Sequence, residues 1–251
     1  MSHHGVFEID LGLSRAFYID GMFEKVLVDT GLKPMSKEVI DFFAANNMPF
    51  SDEQLNLLRK GSRSTIMKFL KNNGFKVDVI ICTHCHGDHI GNAAQLKDEL
   101  NVPLAAHKDD VPVIEGREFL PKPEMIPQEF HHHFDCTPCQ VDIVLEDGQH
   151  FNEEIDVIHL EGHTKGSICL LVKDIVLIAG DCILGKGAMG GENKKPLNPP
   201  SKEFCADYDL ALKSLKKLMN YHFEAIFPSH GASIKTGAKR ELESLLKELN
   251  L

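Results

Sequence analysis

The feature that most constrains the fold is a continuous apolar segment, residues 77–83, which leads directly into six residues rich in metal-binding side chains. An apolar run of this length predicts a strand that is buried on both faces of a sheet. The hexapeptide that follows it reads His84-Cys-His-Gly-Asp-His89. Because open α/β sheets bind ligands beyond the carboxyl ends of their strands, this pattern predicts a site at a sheet edge.

Short β-prone segments and helical patterns alternate along the rest of the chain. The predicted strands are 15–19, 25–28, 77–83, 102–106, 141–145, 155–159, 168–172, 175–179 and 225–227. The predicted helices are 36–45, one with a capping box at 51–54, one ending near 73–74, 92–100, 206–219 and 236–249. Two irregular stretches, 117–140 and 185–202, are expected to form binding loops. Since no linker composition separates the halves, we expect a single α/β domain over residues 1–251.

Composition limits the functional classes. The 251 residues carry a formal net charge of −10, so no basic field attracts a nucleic-acid backbone, and a small-molecule substrate is expected instead. No apolar run is long enough to cross a membrane, and the N-terminus lacks the apolar stretch of a signal peptide. Seven cysteines are an odd number without a disulfide framework, so a cytoplasmic location with reduced thiols is expected.

The hexapeptide concentrates four potential ligands: His84, His86, Asp88 and His89. Imidazole and carboxylate ligands suit zinc or iron. Four ligands so close in sequence can hardly all reach one ion, so the spacing favours two ions side by side. We expect two divalent ions, Zn²⁺ first and Fe or Mn as alternatives. Two ions require further ligands from elsewhere in the chain.

Three later residues are candidates for those ligands: His163, Asp181 and His230. Each follows the carboxyl end of an apolar segment that is predicted to be a strand. Each also has a glycine beside it, which lets the backbone turn sharply close to an ion.

Taken together, these segments resemble the five ordered motifs of the metallo-β-lactamase superfamily. The motifs are Val28-Asp-Thr-Gly31, Thr83-His-Cys-His-Gly-Asp-His89, Gly162-His-Thr-Lys-Gly-Ser167, Gly180-Asp181 and Ser229-His-Gly231. The resemblance implies an αββα sandwich, with two mixed sheets, helices on the outer faces and the metals at one edge. It also implies a first ion on His84, His86 and His163, a second on Asp88, His89 and His230, and Asp181 as the bridge.

Asp29 and Asp88 are the predicted catalytic residues. The resemblance places Asp29 where a carboxylate orients ligand histidines. Asp88 is expected to act first as a ligand, and it could also pass on the proton of the attacking water. The predicted reaction is hydrolysis of an ester, thioester or lactone by a metal-bridging hydroxide. One departure from the motifs is Lys165, which stands where proline is common and adds a cation in a turn.

The resemblance also indicates a particular branch within the superfamily. Asp181 indicates the glyoxalase II-like and lactonase-like branch, because true β-lactamases commonly carry cysteine or serine there. Glyoxalase II proper has an additional C-terminal helical region, which the short segment after His230 does not provide. Two alternatives stay open: a persulfide dioxygenase-like oxygenase with a single iron, and a phosphodiesterase.

Other motifs are given less weight. The pairs Cys82/Cys85 and Cys136/Cys139 are too far apart for a usual shared zinc site and are expected to be buried or loop thiols, although a redox or loop-clamping role for the second pair stays open. The triplet His131–His133 is expected to be solvated or part of a lid. His107 has no partner pattern and is expected at a surface or a strand end.

Overall fold

The computed structural model describes residues 2–46, 50–119, 126–188 and 194–251. The chain divides into two compact units. The first comprises Met1–Ala106 and Val111–Ile143, and the second comprises His107–Asp110 and Val144–Leu251. Each unit is described in turn, and the expectation of a single domain stays a prediction.

A mixed sheet forms the framework of the first unit. Its strands are β1 (Val6–Asp10), β2 (Arg15–Asp20), β3 (Lys25–Val28), β4 (Val79–Ile81) and β5 (Leu104–His107), followed in the sheet order by β6 (Ile143–Leu145), which leads the chain into the second unit. The first three strands pair antiparallel, whereas β3, β4 and β5 pair parallel. The carboxyl ends of β3 and β4 therefore lie at the same edge.

Most helices of the first unit lie where the sequence predicts them, whereas two four-residue helices, 87–90 and 111–114, had not been predicted. They are α1 (Lys37–Ala45), α2 (Asp52–Lys60), α3 (Ser62–Asn73), α4 (Gly87–Ile90), α5 (Ala93–Leu100) and α6 (Val111–Ile114), with a 3₁₀ turn at Gln128–His133. Ser36 caps α1, and Ser51 forms a capping box with Gln54 at the start of α2. Gly74 ends α3 with a φ of 65°, the left-handed conformation that suits glycine after a helix.

The second unit is built on another mixed sheet. Its elements are β7 (His150–Asn152), β8 (Ile155–His159), β9 (Ile168–Val172), β10 (Val176–Gly180), a small ribbon of β11 (Leu184–Gly185) and β12 (Leu197–Asn198), α7 (Tyr208–Ser214), β13 (Ala225–Pro228) and α8 (Ala238–Glu248). The strand order in the sheet is β13-β10-β9-β8-β7. A 3₁₀ turn, Lys202–Phe204, precedes α7, and another, Leu215–Asn220, follows it.

Each unit has its own apolar core. In the first unit, side chains of β1–β5 pack on α3 and α5, and a smaller cluster joins α1 to α2. In the second unit, β8, β9, β10 and β13 pack on α8 and on the 3₁₀ turn Leu215–Asn220. Burial of this apolar surface is the main driving force for folding.

The predicted α/β class with two mixed sheets is confirmed, and most element boundaries differ by two residues or fewer. The predicted helix 206–219 consists instead of α7 and a 3₁₀ turn. Four strands, β1, β7, β11 and β12, had not been predicted as strands. Among the described residues, no helix is both long enough and apolar enough to cross a membrane.

Candidate metal centre

In the first unit, Asp29 connects the end of β3 to the histidine motif after β4. Its carboxylate is fully buried and accepts three hydrogen bonds: from the Thr83 backbone N–H (2.8 Å), the Thr83 hydroxyl (2.8 Å) and His89 Nδ1 (2.9 Å). Asp29 has a φ of 63°, which is uncommon for a residue other than glycine and turns its side chain toward the motif. Asp29 thus contacts the predicted ligand His89 directly, and its orienting role stays a prediction.

These contacts decide which ring nitrogens carry protons. His89 Nδ1 donates to Asp29, so its Nε2 is the nitrogen that can bind a metal. The Thr83 hydroxyl donates to Asp29 and lies 3.1 Å from His84 Nδ1, so it accepts the proton of that nitrogen. His84 therefore also presents Nε2 as a ligand atom. Hydrogen bonds of this kind orient metal-binding histidines in proteins.

The four motif residues form two adjacent pairs of ligand atoms. His84 Nε2 lies 3.0 Å from His86 Nδ1, and His89 Nε2 lies 3.5 Å from Asp88 Oδ2. The rings of His84 and His89 are 3.9 Å apart between centroids, so the two pairs are neighbours. His84 and His89 are buried, whereas the Asp88 side chain is 20% exposed.

Backbone contacts hold this motif against the turn after β3. Thr30 donates to the His89 carbonyl from both its N–H (2.6 Å) and its hydroxyl (2.7 Å). The amide of Asn92 donates to the carbonyls of Thr30, Gly31 and Leu32 at 2.9–3.0 Å. Sequence reasoning missed the role of Asn92, because nothing in the local pattern distinguishes it from an ordinary helix-start residue.

In the second unit, three strands bring their carboxyl ends to one edge of the sheet. β8 and β10 are both antiparallel to β9, and β13 is parallel to β10, so all three run in the same direction. The predicted ligands His163, Asp181 and His230 follow these strands. Asp181 Oδ2 lies 3.5 Å from His163 Nε2 and 3.3 Å from His230 Nε2. One carboxylate oxygen therefore lies beside two imidazole nitrogens, an arrangement suited to a bridging ligand.

The turn that carries His163 is fixed by a buried carboxylate that the sequence analysis did not identify. Asp110 accepts hydrogen bonds from the Thr164 hydroxyl (2.7 Å) and from the Gly166 N–H (2.8 Å). The Thr164 N–H in turn donates to the Ser167 hydroxyl at 2.9 Å. Asp110 lies 54 residues from Thr164 in sequence, so only the tertiary structure shows this contact.

Glycines allow the close backbone approaches that the motifs require. Gly231 has a φ of 85°, and a Cβ there would lie 2.3 Å from the Gly185 carbonyl oxygen. The Gly185 N–H donates to the His230 carbonyl at 2.8 Å. Gly185 is the first residue of the irregular stretch 185–202, so this stretch begins directly beside a predicted ligand.

The other irregular stretch also reaches the candidate site. A Cβ on Gly87, inside the histidine motif, would lie 2.4 Å from the Phe134 carbonyl oxygen. The 3₁₀ turn before Phe134 includes the histidine triplet, and His131 Nε2 donates to the Ile126 carbonyl at 2.9 Å. Parts of both predicted loops, residues 120–125 and 189–193, lie outside the described residues.

The two cysteine pairs and His107 do not belong to the predicted set of metal ligands. Cys82 and Cys85 are buried in the core of the first unit, and Cys136 and Cys139 are partly buried against the same core. Within the described part of the chain, no group of three or more ligands that could hold a metal includes a cysteine. His107 does end a strand, β5, but it is buried rather than at the surface and stacks on His159, with ring centroids 3.9 Å apart.

The sequence matches the family profile described as the metallo-beta-lactamase superfamily over residues 9–230. The chain belongs to this superfamily. Probable metallo-hydrolase YflN of Bacillus subtilis is 32% identical over 174 residues, which cover 63% of this chain and 66% of that protein. The Beta-lactamase-like protein 2 homolog of Drosophila melanogaster is 30% identical, over 66% of this chain and 49% of that protein. The chain thus spans between half and two-thirds of the length of these superfamily relatives.

Solved structures show the same metallo-β-lactamase fold. TTHA1429 from Thermus thermophilus, a metallo-beta-lactamase family protein, superposes with a TM-score of 0.64 at 18% identity and covers 98% of this chain and 79% of its own. TTHA1623, in a di-iron-bound form, superposes with a TM-score of 0.58 at 21% identity and covers 88% of this chain and 89% of its own. At these identities the likeness shows the fold only.

The residues in each unit fit a metal ion by their chemistry. Each set combines imidazole nitrogens with carboxylate oxygens, the ligands that zinc, iron and manganese accept. Most of these side chains are buried, and buried polar groups of this kind are usually paired or bound to a metal. Superfamily membership and these His/Asp clusters together identify a metal-binding protein of the hydrolase superfamily.

Proposed function

We propose that the chain is a dinuclear metal-dependent hydrolase that cleaves an ester, thioester or lactone bond in a small molecule. The proposal rests chiefly on one observation: the Asp181 carboxylate lies between His163 and His230 in the second unit. If two ions share one carboxylate ligand, that carboxylate must lie beside the histidines that bind each of the two ions. An aspartate at this position also supports the glyoxalase II-like and lactonase-like branch.

In this proposal, the seven predicted ligands hold two separate ions. His84, His86 and His163 hold the first, Asp88, His89 and His230 hold the second, and Asp181 bridges them. Zinc is the first expectation, with iron or manganese as alternatives that elemental analysis distinguishes. Two adjacent divalent ions, when bound, supply a hydroxide nucleophile at neutral pH and polarise the scissile carbonyl.

The chain's own residues have defined tasks in this reaction. Asp29 and Thr83 accept the Nδ1 protons of His89 and His84, which keeps both Nε2 atoms available as ligands. Asp88 is the partly exposed carboxylate beside His89, so it is placed to take the proton released when water adds to the substrate.

The second set of ligands favours hydrolysis over chemistry at a single iron. A mononuclear site would use the first set with Asp181 and would leave Asp88, His89 and His230 without a task. Yet His89 is held by a fully buried hydrogen bond to Asp29, and His230 is 6% exposed beside Asp181. Burying these polar groups costs free energy, because the loss of their hydration must be compensated by hydrogen bonds or by a bound ion.

The net charge and the cysteines support two further parts of the proposal, the small-molecule substrate and the cytoplasmic location. A net charge of −10 disfavours a nucleic-acid substrate. The described residues include all seven cysteines, and none of these forms a disulfide, which supports a reducing compartment such as the cytoplasm.

The proposal is tested with metal-replete protein and a variant pair. Wild-type protein is expected to hold about two metal equivalents by inductively coupled plasma mass spectrometry and to hydrolyse at least one member of a panel of lactones, thioesters and esters without oxygen. Asp181→Asn is expected to lose much of the second equivalent and nearly all activity. Asp98→Asn, a matched change of an exposed aspartate on α5, is expected to change neither.

Three results would contradict the proposal in different ways. One metal equivalent in replete wild-type protein would remove the dinuclear site. Oxygen uptake with glutathione persulfide, without turnover of any ester, would indicate a single-iron oxygenase. Cleavage of bis-p-nitrophenyl phosphate alone would indicate a phosphodiesterase.

A further inference from the structure

Cys205 lies at an unassigned position beside a predicted ligand. Its Sγ is 3.6 Å from Nδ1 of His163, the ring nitrogen opposite the one that faces Asp181. The two residues are 42 positions apart in sequence, so no local sequence motif predicts the contact. Cys205 is only partly buried, whereas His163 is 2% exposed.

The geometry assigns a direction to the thiol proton. Cys205 Sγ donates to the Ser201 carbonyl oxygen, at a distance of 3.2 Å. A carbonyl oxygen only accepts, so the S–H points at Ser201 and a sulfur lone pair remains available on the side of His163. The group that His163 Nδ1 meets is therefore a weak acceptor.

The segment that carries Cys205 is fixed against the His163 turn by its backbone. The Ala206 N–H donates to the His163 carbonyl (3.0 Å), and the Asp207 N–H donates to the Gly162 carbonyl (2.8 Å). Asp207 then caps α7 by accepting from the Leu210 N–H at 2.9 Å. The sulfur is thus held at a set position rather than on a free loop, which is what an orienting contact requires.

We propose that Cys205 is a positioning residue for the metal centre, whose sulfur accepts the Nδ1 proton of His163 and so commits Nε2 to the metal. The inference rests on the proposed metal site. In the first unit, Asp29 and Thr83 perform the same task for His89 and His84 through oxygen acceptors. His163 receives a softer and weaker acceptor, so its imidazole gains less basicity than that of His89.

The test measures metal binding itself, with Zn²⁺ or Co²⁺ as the probe and a chelator as competitor. Cys205→Ala is expected to weaken the first metal equivalent by about 10-fold or more, the usual effect of removing a hydrogen-bond partner of a ligand histidine. Cys205→Ser is expected to recover part of that loss, because its hydroxyl also accepts a proton. Cys139→Ala is the matched control, a partly buried thiol in the first unit, and is expected to leave the affinity unchanged.

A purely structural role for Cys205 predicts a different pattern. It would lower the midpoint of thermal unfolding in Cys205→Ala while leaving the chelator competition and the Co²⁺ absorption spectrum as in the wild type. That result would overturn the proposal. Failure of wild-type protein to bind any metal would instead contradict the proposed function, so the two failures are distinguishable.

A second measurement does not depend on the variant folding. In ¹⁵N-histidine-labelled, Zn²⁺-loaded wild-type protein, long-range ¹H–¹⁵N correlation spectra report the tautomer of each imidazole. His163 is expected to carry its proton on Nδ1 and to bind the ion through Nε2. A His163 ring that binds through Nδ1, or that carries its proton on Nε2, would overturn the proposal.

Discussion

At the scale of single residues, the histidines of the candidate centre depend on their acceptors as much as on their own positions. Each of three predicted ligands meets a different partner at Nδ1: a carboxylate for His89, a hydroxyl for His84 and a thiol for His163. Which ring nitrogen is free to bind a metal follows from the hydrogen bond that the other nitrogen makes. In the proposed centre, these partners would commit the Nε2 atom of each histidine to an ion.

Asp29 gives the clearest prediction of this kind. Asp29→Asn places an amide N–H where both the Thr83 hydroxyl and His89 Nδ1 now donate, so two donors face each other in a fully buried environment. We expect metal affinity to fall about 10- to 100-fold and stability to fall by about 2 kcal/mol. Chelator competition and urea unfolding of metal-free protein measure the two effects. Wild-type affinity in the variant would show that Asp29 does not orient the ligand.

His107 gives a pH-dependent prediction that is separate from the metal. Burial, and to a lesser degree the neighbouring His159, lowers the pKa of His107 from 6.5 to about 4, with Asp109 acting in the opposite direction. The folded protein therefore keeps this imidazole neutral, while the unfolded chain takes up a proton below pH 6.5. The stability that the neutral His107 contributes is fully present above pH 6.5. As the pH falls from 6.5 toward 4, the free energy of unfolding decreases by at most about 3 kcal/mol.

The measurement is urea unfolding of metal-free protein at intervals between pH 4 and pH 8. His107→Phe keeps a ring beside His159 but cannot be protonated, so its stability is expected to fall less steeply with decreasing pH than that of the wild type. His222→Gln, a change of an exposed histidine, is expected to follow the wild type. Equal pH dependence in all three proteins would show that His107 does not titrate as described.

The residue-scale part of the site could be predicted only where the sequence signal is local. His84 to His89, His163, Asp181 and His230 stand at ends of apolar strands with glycines beside them, and the structure places each set at a sheet edge. Asp110, Asn92 and Cys205 were missed, because their role consists of contacts with residues 42 to 62 positions away. A polar residue of this kind has no periodicity or spacing that distinguishes it from a surface residue.

At the scale of elements, turns and caps were predictable and weak strands were not. The hairpin at Asp20-Gly21, the caps at Ser36 and Ser51 and the end of α3 at Gly74 all follow from backbone chemistry that one residue dictates. By contrast, β7, β11 and β12 contain only two or three residues each, and their pairing with a neighbouring strand defines them. Tertiary pairing of this kind leaves no pattern in so short a segment.

The turn after β8 permits a prediction about how elements hold a ligand. Gly162 has a φ of 123°, and a Cβ there would lie 2.2 Å from the Ala211 backbone nitrogen in the middle of α7. Gly162→Ala must therefore adopt a strained conformation and also displace α7, at a cost of roughly 3 kcal/mol in unfolding free energy. Because His163 is the next residue, metal affinity is expected to fall as well.

Gly148→Ala is the matched control for this change. Gly148 also has a positive φ, 70°, but a Cβ there meets no described atom within 4 Å. Only the conformational cost of about 1–2 kcal/mol remains, with metal affinity unchanged. Thermal unfolding and chelator competition on both variants separate strain from packing. Similar losses in the two variants would show that the approach of α7 does not fix the His163 turn.

At the scale of the whole molecule, the proposal assigns ligands from distant parts of the sequence to the same ion. His89 and His230 are both assigned to the second ion. If they bind the same ion, His89→Ala and His230→Ala should each remove the same metal equivalent. The double variant should then lose little more than either single variant, because interacting residues that act on one site are not additive. Separate ions would instead produce additive losses of metal.

The corresponding measurement combines the number of bound metal ions with the free energy of unfolding. Zn²⁺ at about 100 times its dissociation constant is expected to raise the unfolding free energy of wild-type protein by about 2.7 kcal/mol for each site. Both single variants and the double variant are expected to lose the contribution of one site, and His222→Ala is expected to keep both. A double variant that loses both contributions while each single variant loses a different one would show two independent sites. In that case, the assignment of His89 and His230 to one ion would be wrong, even though each residue lies where the sequence predicts a ligand.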